Sequence, residues 1–114
     1  LAWGGHRFWV LSAYLRSGDY SAQRSLMQSC LQPVAQQVQG MQVWAGDWNF
    51  VETVALDSTG VRTNDPPTTA LFRSLCPQMV DTFRHMHGSA RSFTYLANHQ
   101  GQAVGSRLDR VYIT

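Results

Sequence analysis

The first strong pattern along the chain is a continuous apolar run followed by apolar residues at helical spacing. Arg7–Leu15 is apolar and rich in aromatic residues, which predicts a buried strand. From Leu26 to Val38 apolar side chains recur every three or four residues, as they do on one face of a helix. Pro33 should kink that helix or begin a new turn, and Asp19 or Ser21 is the expected N-cap.

Shorter apolar segments follow in the rest of the chain. Met41–Ala45 predicts a second strand, Glu52–Pro67 is rich in turn-forming residues and predicts mostly loop, and Thr68–Leu75 has helical spacing. Later strands are expected at Met79–Phe83, Ser92–Leu96 and Arg107–Ile113. Strands alternate with helices early and strands dominate late, so the pattern favours one mixed α/β (α+β) domain.

Composition narrows the class of protein more than the function. A hydrophobic content of 44% with 11% aromatic residues suits a packed core and argues against a disordered chain. No apolar run approaches the roughly 20 residues of a membrane helix. A net charge of +2, with every basic residue an arginine, does not indicate a partner. Cys30 and Cys76 are far apart in apolar sequence, and we expect buried thiols in a reducing compartment.

The strongest local signal for chemistry is Gly46-Asp47-Trp48-Asn49, where an apolar strand gives way to loop. Glycine lets the backbone turn or approach a ligand closely. In an extended segment Asp47 and Asn49 would point the same way. A carboxylate beside an amide can bind a cation, orient a water molecule and donate to a phosphate oxygen. The same tetrapeptide also fits an ordinary Asp/Asn turn.

Other polar residues are ambiguous when each is taken alone. Arg107 and Asp109 alternate with Leu108, so we expect them to share a face, either as a surface salt bridge or as groups aimed into a cleft. Tyr14 ends the first predicted strand and fits a core position equally well. Thr94, within Ser92-Phe93-Thr94-Tyr95, has no special pattern of its own.

The order of these segments carries a family resemblance. Tyr14 after a strand is followed by GDWN at 46–49, VDTFR at 80–84, SFTY at 92–95 and SRLDRVYIT at 106–114. This order resembles the endonuclease/exonuclease/phosphatase superfamily of apurinic/apyrimidinic endonucleases and DNase-like nucleases. It is most similar to the endonuclease domains of LINE-type retrotransposons, from about Phe8 to Thr114. Trp48 departs from the family, which commonly has a less bulky apolar residue there.

The resemblance implies a fold and a reaction. The fold would be a DNase-I-like, four-layer sandwich of two packed mixed β-sheets with outer helices, only partly present in residues 1–114. The reaction would be metal-dependent phosphodiester hydrolysis, as in a DNA-nicking domain linked to a reverse transcriptase in a retrotransposon polyprotein. Mg²⁺ is the expected metal and Mn²⁺ the second choice, DNA is the expected partner, and a nuclear location would follow.

The resemblance also assigns roles to individual residues. Asp47 would polarise or deprotonate the attacking water, and Asn49 would hold that water and stabilise the pentacovalent phosphate; both would lie at the metal. Tyr14 would contact the phosphate or the leaving oxygen. Asp109 would orient the catalytic histidine of the family. Arg107 and Thr94 would position the nucleic-acid backbone.

Two parts of the family site are expected outside this segment. The resemblance places an Asn and the main metal-binding Glu upstream of Leu1, and a Ser-Asp-His beyond Thr114. Glu52 is the only glutamate in the chain, and its position after GDWN does not match the metal-binding Glu. His85 and His87 lie two residues apart, but no third ligand has the spacing that a zinc site requires.

Two other interpretations remain open from the sequence. One is a phosphatase or phospholipase of the same superfamily, although those groups usually have a different motif where SRLDR stands. The other is an inactive, truncated copy without chemistry. A truncated sandwich would expose sheet edges and half a core, so we expect the isolated chain to fold poorly and to aggregate.

Overall fold

A computed structural model of the chain describes residues 1–59 and 65–114. Part of the predicted loop Glu52–Pro67, residues 60–64, lies outside the described residues. The strands are β1 Ala2–Trp3, β2 His6–Tyr14, β3 Met41–Asp47, β4 Val80–Asp81, β5 Tyr95–His99, β6 Gln102–Ser106 and β7 Asp109–Ile113. The helices are α1 Tyr20–Leu26, α2 Gln32–Gln37, α3 Val54–Asp57, α4 Pro66–Leu75 and α5 Thr82–His87, with a π-helical turn at Met27–Leu31.

The strands form two sheets, which confirms a mixed α+β architecture. The larger sheet has the order β1-β2-β3-β7-β4, and β5 and β6 form a separate antiparallel hairpin. Strands β2 and β3 are parallel because the helical segment from α1 to α2 crosses over between them. Every other pairing in the larger sheet is antiparallel. None of the helices in the described ranges is long and apolar enough to span a membrane.

The first helical segment follows the sequence prediction in its start and in its interruption. The Asp19 carboxylate accepts a hydrogen bond from the Ala22 N–H at 2.9 Å, which confirms Asp19 as the N-cap. Pro33 lies in the first turn of α2 and has no N–H to donate. The preceding turn is π-helical, and the Gln32 N–H bonds to the Met27 carbonyl five residues back. The predicted kink or new turn at Pro33 is therefore confirmed as a change of helix type.

The core lies between the helices and one face of the larger sheet. Its centre is aromatic: the ring of Trp48 lies 5.1 Å from that of Phe72 and 5.2 Å from that of Tyr112, both edge-on. Trp48 is fully buried, as its position in a core requires. Cys76 is buried in the same core, and burial raises the pKa of its thiol to about 11. Cys30 is exposed, so the expectation of two buried thiols was wrong for that residue.

The exposure of Cys30 has a local cause in the π-helical turn. A π-helix places more residues in each turn than an α-helix, so apolar spacing read at 3.6 residues per turn loses its register there. Met27 and Leu31 are buried, whereas Leu26 and Cys30 face solvent.

Other boundaries also differ from the sequence prediction. The strand expected at Met79–Phe83 is limited to Val80–Asp81, because the Asp81 carboxylate caps α5 by accepting from the Arg84 N–H. The strand expected at Ser92–Leu96 begins at Tyr95 and forms a hairpin with β6. The loop predicted at Glu52–Pro67 contains the short helix α3.

Strand β2 was predicted to be buried, and this was wrong: none of its residues is fully buried, and alternate residues lie on a bare face of the sheet. The register places one set of side chains together on the side opposite the helices: Phe8, Val10 and Ser12 of β2, Met41, Val43 and Ala45 of β3, Val111 and Ile113 of β7, and Val80 of β4. Ser12 is the only polar member. Val10 is 54% exposed and Met41 is 53% exposed. We call this set the open face.

The overall dimensions agree with an uncovered sheet. The shortest extent of the molecule is 18 Å, which suits one sheet with one layer of helices, since packed layers lie about 10 Å apart. The chain exposes 7033 Å². A folded monomer of 12.8 kDa is expected to expose about 6,300 Å². The excess of exposed surface area is comparable to the area that one partner buries in an ordinary protein interface, about 800 Å².

We predict that the isolated chain self-associates through the open face, because water contact with this apolar surface is unfavourable. Val111→Asp should shift the chain toward monomer in size-exclusion chromatography with light scattering. Leu96→Asp is the matched control, since Leu96 is 76% exposed but lies on the β5–β6 hairpin. Equal effects of the two substitutions, or a monomeric parent chain, would contradict this assignment.

Candidate active site

The register of the larger sheet brings Tyr14, Asp47 and Asp109 into one row. Tyr14 pairs with Asp47 across β2 and β3, and Asp47 pairs with Asp109 across β3 and β7. Paired residues on adjacent strands point to the same face. Tyr14 and Asp47 are the last residues of their strands and Asp109 is the first of its strand, so the row forms one end of the open face. Three predicted site residues, distant in sequence, are therefore neighbours.

The two carboxylates of this row have a distinctive electrostatic environment. The other five of the seven acidic residues each have an arginine partner: Asp19, Glu52, Asp57, Asp65 and Asp81. Among the described residues, Asp47 and Asp109 have no cationic partner. Like charges directly opposite each other on neighbouring strands destabilise a sheet. A divalent cation between them would replace this repulsion with attraction.

These residues fit Mg²⁺ by the chemistry of their donors. Mg²⁺ prefers oxygen ligands, and it is commonly held by one or two carboxylates while water and substrate phosphates complete its octahedron. Asp47 and Asp109 would supply the two carboxylates. No group of three or more His, Cys, Asp or Glu residues suited to a metal occurs in 1–59 and 65–114. The ring of His87 instead packs against Phe83, with 4.8 Å between centroids.

Asn49 does not continue the alternation expected from the sequence. The strand ends at Asp47, and Asn49 adopts a φ of +49°, so the segment is not extended. Its side-chain Nδ2 donates to the Leu15 carbonyl at 2.6 Å, and its N–H donates to Oδ1 of Asp47 at 3.0 Å. Asn49 thus fixes the Asp47 carboxylate and the end of β2, which corrects the prediction that the two side chains point the same way.

Position 46 requires glycine because the backbone of β2 passes very close to it, and not because a ligand does. It has a φ of +152°, and a Cβ at this position would lie 1.8 Å from the carbonyl oxygen of Ala13. No side chain fits there without separating the two strands. The glycine of GDWN therefore keeps Tyr14 beside Asp47.

Thr94 is attached to the start of β7. Its Oγ1 accepts hydrogen bonds from the N–H groups of Leu108 at 3.1 Å and Asp109 at 3.0 Å. Thr94, Arg107 and Asp109 line a cleft of about 260 Å³ that Ser92 and Thr82 also border. A threonine hydroxyl has two acceptor sites and one proton. With both acceptor sites occupied, Thr94 can offer its proton to an acceptor in the cleft.

Arg107 is buried, whereas Asp109 is exposed, so the two do not share a face. The strand begins at Asp109, and alternation does not extend back to Arg107. The Arg107 guanidinium donates through Nε to Asp57 Oδ1 at 2.8 Å and through Nη2 to Asp81 Oδ2 at 2.6 Å. Only 3% of the residue is accessible. Its contacts are structural, and they anchor the loop before Asp109.

The carboxyl group of Asp57 has a shifted pKa for a clear reason. Burial alone would raise the pKa, but hydrogen bonds from Arg107 and Arg84 stabilise the carboxylate and bring the pKa below its ordinary value. Burial alone would lower the pKa of Arg107, but hydrogen bonds to Asp81 and Asp57 hold it above its ordinary value. The sequence offered one signal for this network, since Asp81 precedes a helical Thr-Phe-Arg segment as an N-cap does.

A second buried charge cluster was missed in the sequence. Glu52 accepts hydrogen bonds from Arg73 and from the Tyr112 hydroxyl, and Arg110 lies 3.9 Å from the same carboxylate. The Arg110 guanidinium stacks over the Phe50 ring at 4.4 Å. Burial, partly opposed by the charge of Arg110 and reinforced by Glu52, raises the pKa of Tyr112 well above its ordinary value. This cluster gives Glu52 a structural role.

No protein-family model matches the sequence, and no curated protein matches it.

We predict that Arg107→Met lowers the free energy of unfolding at pH 7 by about 3–5 kcal/mol, because Asp57 and Asp81 lose a buried cation. In the parent chain, the lowered pKa of Asp57 contributes stability above about pH 4, and this stability is lost as the pH falls through the folded-state pKa. Asp57 keeps its hydrogen bonds from Arg84 and Thr53 in the variant, so the variant should retain only part of this contribution and lose less stability on acidification. Urea denaturation at pH 7 and pH 3 measures both effects.

Arg16→Met is the matched control for this experiment. The Arg16 side chain is 77% exposed and lies 3.9 Å from Asp19. Removing such a surface pair should cost less than about 1 kcal/mol. If Arg107→Met were no more damaging than this control, the buried network would not have the role assigned to it.

Proposed function

We propose that this chain is part of a Mg²⁺-dependent phosphodiesterase of the endonuclease/exonuclease/phosphatase superfamily. Its specific function would be DNA nicking within a non-LTR retrotransposon polyprotein that also carries a reverse transcriptase. The observation that carries the proposal is the row of Tyr14, Asp47 and Asp109, in which two adjacent carboxylates lack a cationic partner among the described residues. The order of sequence segments that resembles the superfamily gives this row its chemical interpretation.

The residues of the row suit the steps of phosphodiester hydrolysis. Asp47 would orient or deprotonate the attacking water, while the Asn49 N–H holds its carboxylate in place. Tyr14 is 69% exposed as a residue, and its hydroxyl would donate to a phosphate oxygen or to the leaving oxygen. Bound Mg²⁺ would polarise the phosphoryl group and neutralise developing negative charge. By the family resemblance, Asp109 would orient a catalytic histidine, and its place beside Asp47 would give it a second role as a carboxylate ligand of the metal.

The residues proposed to position DNA would act in different ways. By the family resemblance, the hydroxyl of Thr94, which lines the cleft, would contact a phosphate oxygen. Arg107 is buried between Asp57 and Asp81 and would act by fixing the loop, since its guanidinium is occupied.

The open face supports the finer proposal for the fold. An apolar sheet face with helices on its other side is what one half of a four-layer, DNase-I-like sandwich presents. A second sheet on this face would leave the row of Tyr14, Asp47 and Asp109 at the rim of the interface. The active site of the superfamily lies at one end of its sandwich, and the family's metal-binding Glu and catalytic His would approach the row from there.

We predict that Asp47→Asn raises the melting temperature in the absence of metal. Removing the repulsion between Asp47 and Asp109 should stabilise the chain by about 0.2–1 kcal/mol, which corresponds to roughly 1–5 °C. Mg²⁺ should raise the melting temperature of the parent and have little effect on the variant. Differential scanning calorimetry with and without 10–20 mM MgCl₂, roughly the range a weak two-carboxylate site requires, measures both shifts.

Asp19→Asn is the control, because Asn is an equally good N-cap and Asp19 is not one of the paired residues of the row. It should retain the parental response to Mg²⁺. A lower melting temperature for Asp47→Asn, with an unchanged response to Mg²⁺, would argue against a metal at this row.

We also predict that the longest natural polypeptide containing these residues nicks supercoiled plasmid with Mg²⁺. Asp47→Ala should reduce the nicking rate by about 10³-fold or more, and Tyr14→Phe by about 10²-fold, as expected for loss of a catalytic base or one donor to the transition state. Undiminished nicking by Asp47→Ala would overturn its assignment. Hydrolysis of a soluble inositol phosphate without nicking would instead favour a phosphatase, and absence of both activities would favour a decayed copy.

A further inference from the structure

The outer edge of β7 has a partner strand along only part of its length. On the side away from β3, the short strand β4 pairs with Tyr112 and Ile113. Asp109, Arg110 and Val111 lie beyond this pairing, and the described strands provide no partner for them on that side. Backbone polar groups at such an edge must find another partner or water.

Two threonine hydroxyls take the place of the absent strand. Thr82 Oγ1 donates to the Val111 carbonyl at 3.0 Å. Thr94 Oγ1 accepts from the N–H of Asp109 at 3.0 Å and from that of Leu108 at 3.1 Å. The Thr94 backbone is itself fixed, because its N–H donates to the Ser106 carbonyl at 3.1 Å. The beginning of β7 is therefore attached to the segment that leads into β5.

Asp109 needs such an attachment for an electrostatic reason. Its N–H bonds to Thr94 rather than to β3, so Asp47 and Asp109 form the closer, non-hydrogen-bonded kind of antiparallel pair. Their Cα atoms in such a pair are about 4.5 Å apart, and two unneutralised carboxylates at that spacing repel each other. As the first residue of its strand, Asp109 is also the residue at which β7 would fray.

We propose that Thr94 is a positioning residue for Asp109, holding its backbone in line with Asp47 against this repulsion. The role rests on the proposed function insofar as it concerns catalysis, and it differs from the contact with the nucleic-acid backbone that the family resemblance implies. Thr94 acts on the reaction through the location of the Asp109 carboxylate. The hydrogen bonds to Thr94 exist independently of any activity, so their presence and their effect on catalysis can be measured in separate experiments.

Amide hydrogen exchange of the 114-residue chain tests the attachment without an activity assay. Thr94→Val keeps the shape and removes the hydroxyl, and it should speed exchange at Leu108 and Asp109 by about 10-fold, the effect of losing one hydrogen bond. Thr94→Ser should retain parental exchange. The Leu15 amide, bonded to the Asp47 carbonyl at 3.0 Å, should be unaffected in both variants.

Thr82→Val is the matched control variant, since it removes the other hydroxyl on the same edge without a bond to Asp109. It should leave exchange at Asp109 unchanged. Parental exchange at Leu108 and Asp109 in Thr94→Val would overturn the proposed attachment, whatever the function of the protein.

A double-mutant cycle in the longest natural polypeptide tests the consequence for catalysis. Thr94→Val should lower kcat for plasmid nicking by about 10- to 100-fold with KM unchanged, as expected for a misplaced catalytic group. Thr94→Ser should restore most of the rate. In an Asp109→Asn background, Thr94→Val should have no further effect, because the group it positions is already absent.

The alternative outcomes separate the two proposals. A raised KM with unchanged kcat, or an undiminished effect of Thr94→Val in the Asp109→Asn background, would overturn the positioning role and favour direct contact with DNA. Absence of nicking by the unsubstituted polypeptide, with the expected exchange pattern, would instead count against the proposed function while the attachment stands.

Discussion

The antiparallel pairing of β3 with β7 determines which side chains meet at the end of the sheet. Successive residues of a strand point to opposite faces, so a slip by one residue would move Asp109 to the helical side and expose Tyr112. The buried pair of Trp44 and Tyr112 opposes such a slip, because both rings belong to the core. Trp48 adds a hydrogen bond from its N–H to the carbonyl of Leu108, just before β7, and one from its indole to the Arg110 carbonyl within β7. The aromatic core thus sets the spacing of the two carboxylates.

The close spacing of Asp47 and Asp109 is unusual because the other acidic residues of the chain lie beside arginines. Buried charges require partners, and Arg107 supplies one to Asp57 and Asp81 at considerable cost in desolvation. Exposed acidic residues receive partners as well, such as Asp19 beside Arg16. Against this background, a pair of neighbouring carboxylates without a described cationic partner is a local departure from favourable electrostatics. Under the proposed function, this departure would serve to bind the metal ion.

The sequence predicted the elements that depend on local patterns. Strand β3, helix α4 and the Asp19 cap all follow from apolar spacing and capping chemistry. The errors lie where tertiary contacts override those patterns. The π-helical turn rotated Cys30 into solvent, and the left-handed backbone of Asn49 broke an expected alternation.

The sequence named six candidate residues, and the structure brings three of them into one row. The resemblance named Tyr14, Asp47 and Asp109, and only the register shows that they form one row. The burial of Arg107 could not be inferred, since its two partners come from distant segments of the chain. Single-sequence patterns report the period of one element, and they carry no information about which elements face each other.

The open face and the carboxylate row are physically coupled. Covering the open face with a second apolar layer would remove water from one side of the row and lower the local dielectric constant. The repulsion between Asp47 and Asp109 would then increase, and so would the attraction of the pair for a cation. A cover would therefore be accepted more readily with metal bound, and metal would bind more tightly with the cover in place. The exposed apolar face and the carboxylate pair are each unfavourable alone. A covering layer on the face and a cation at the pair would each strengthen the binding of the other.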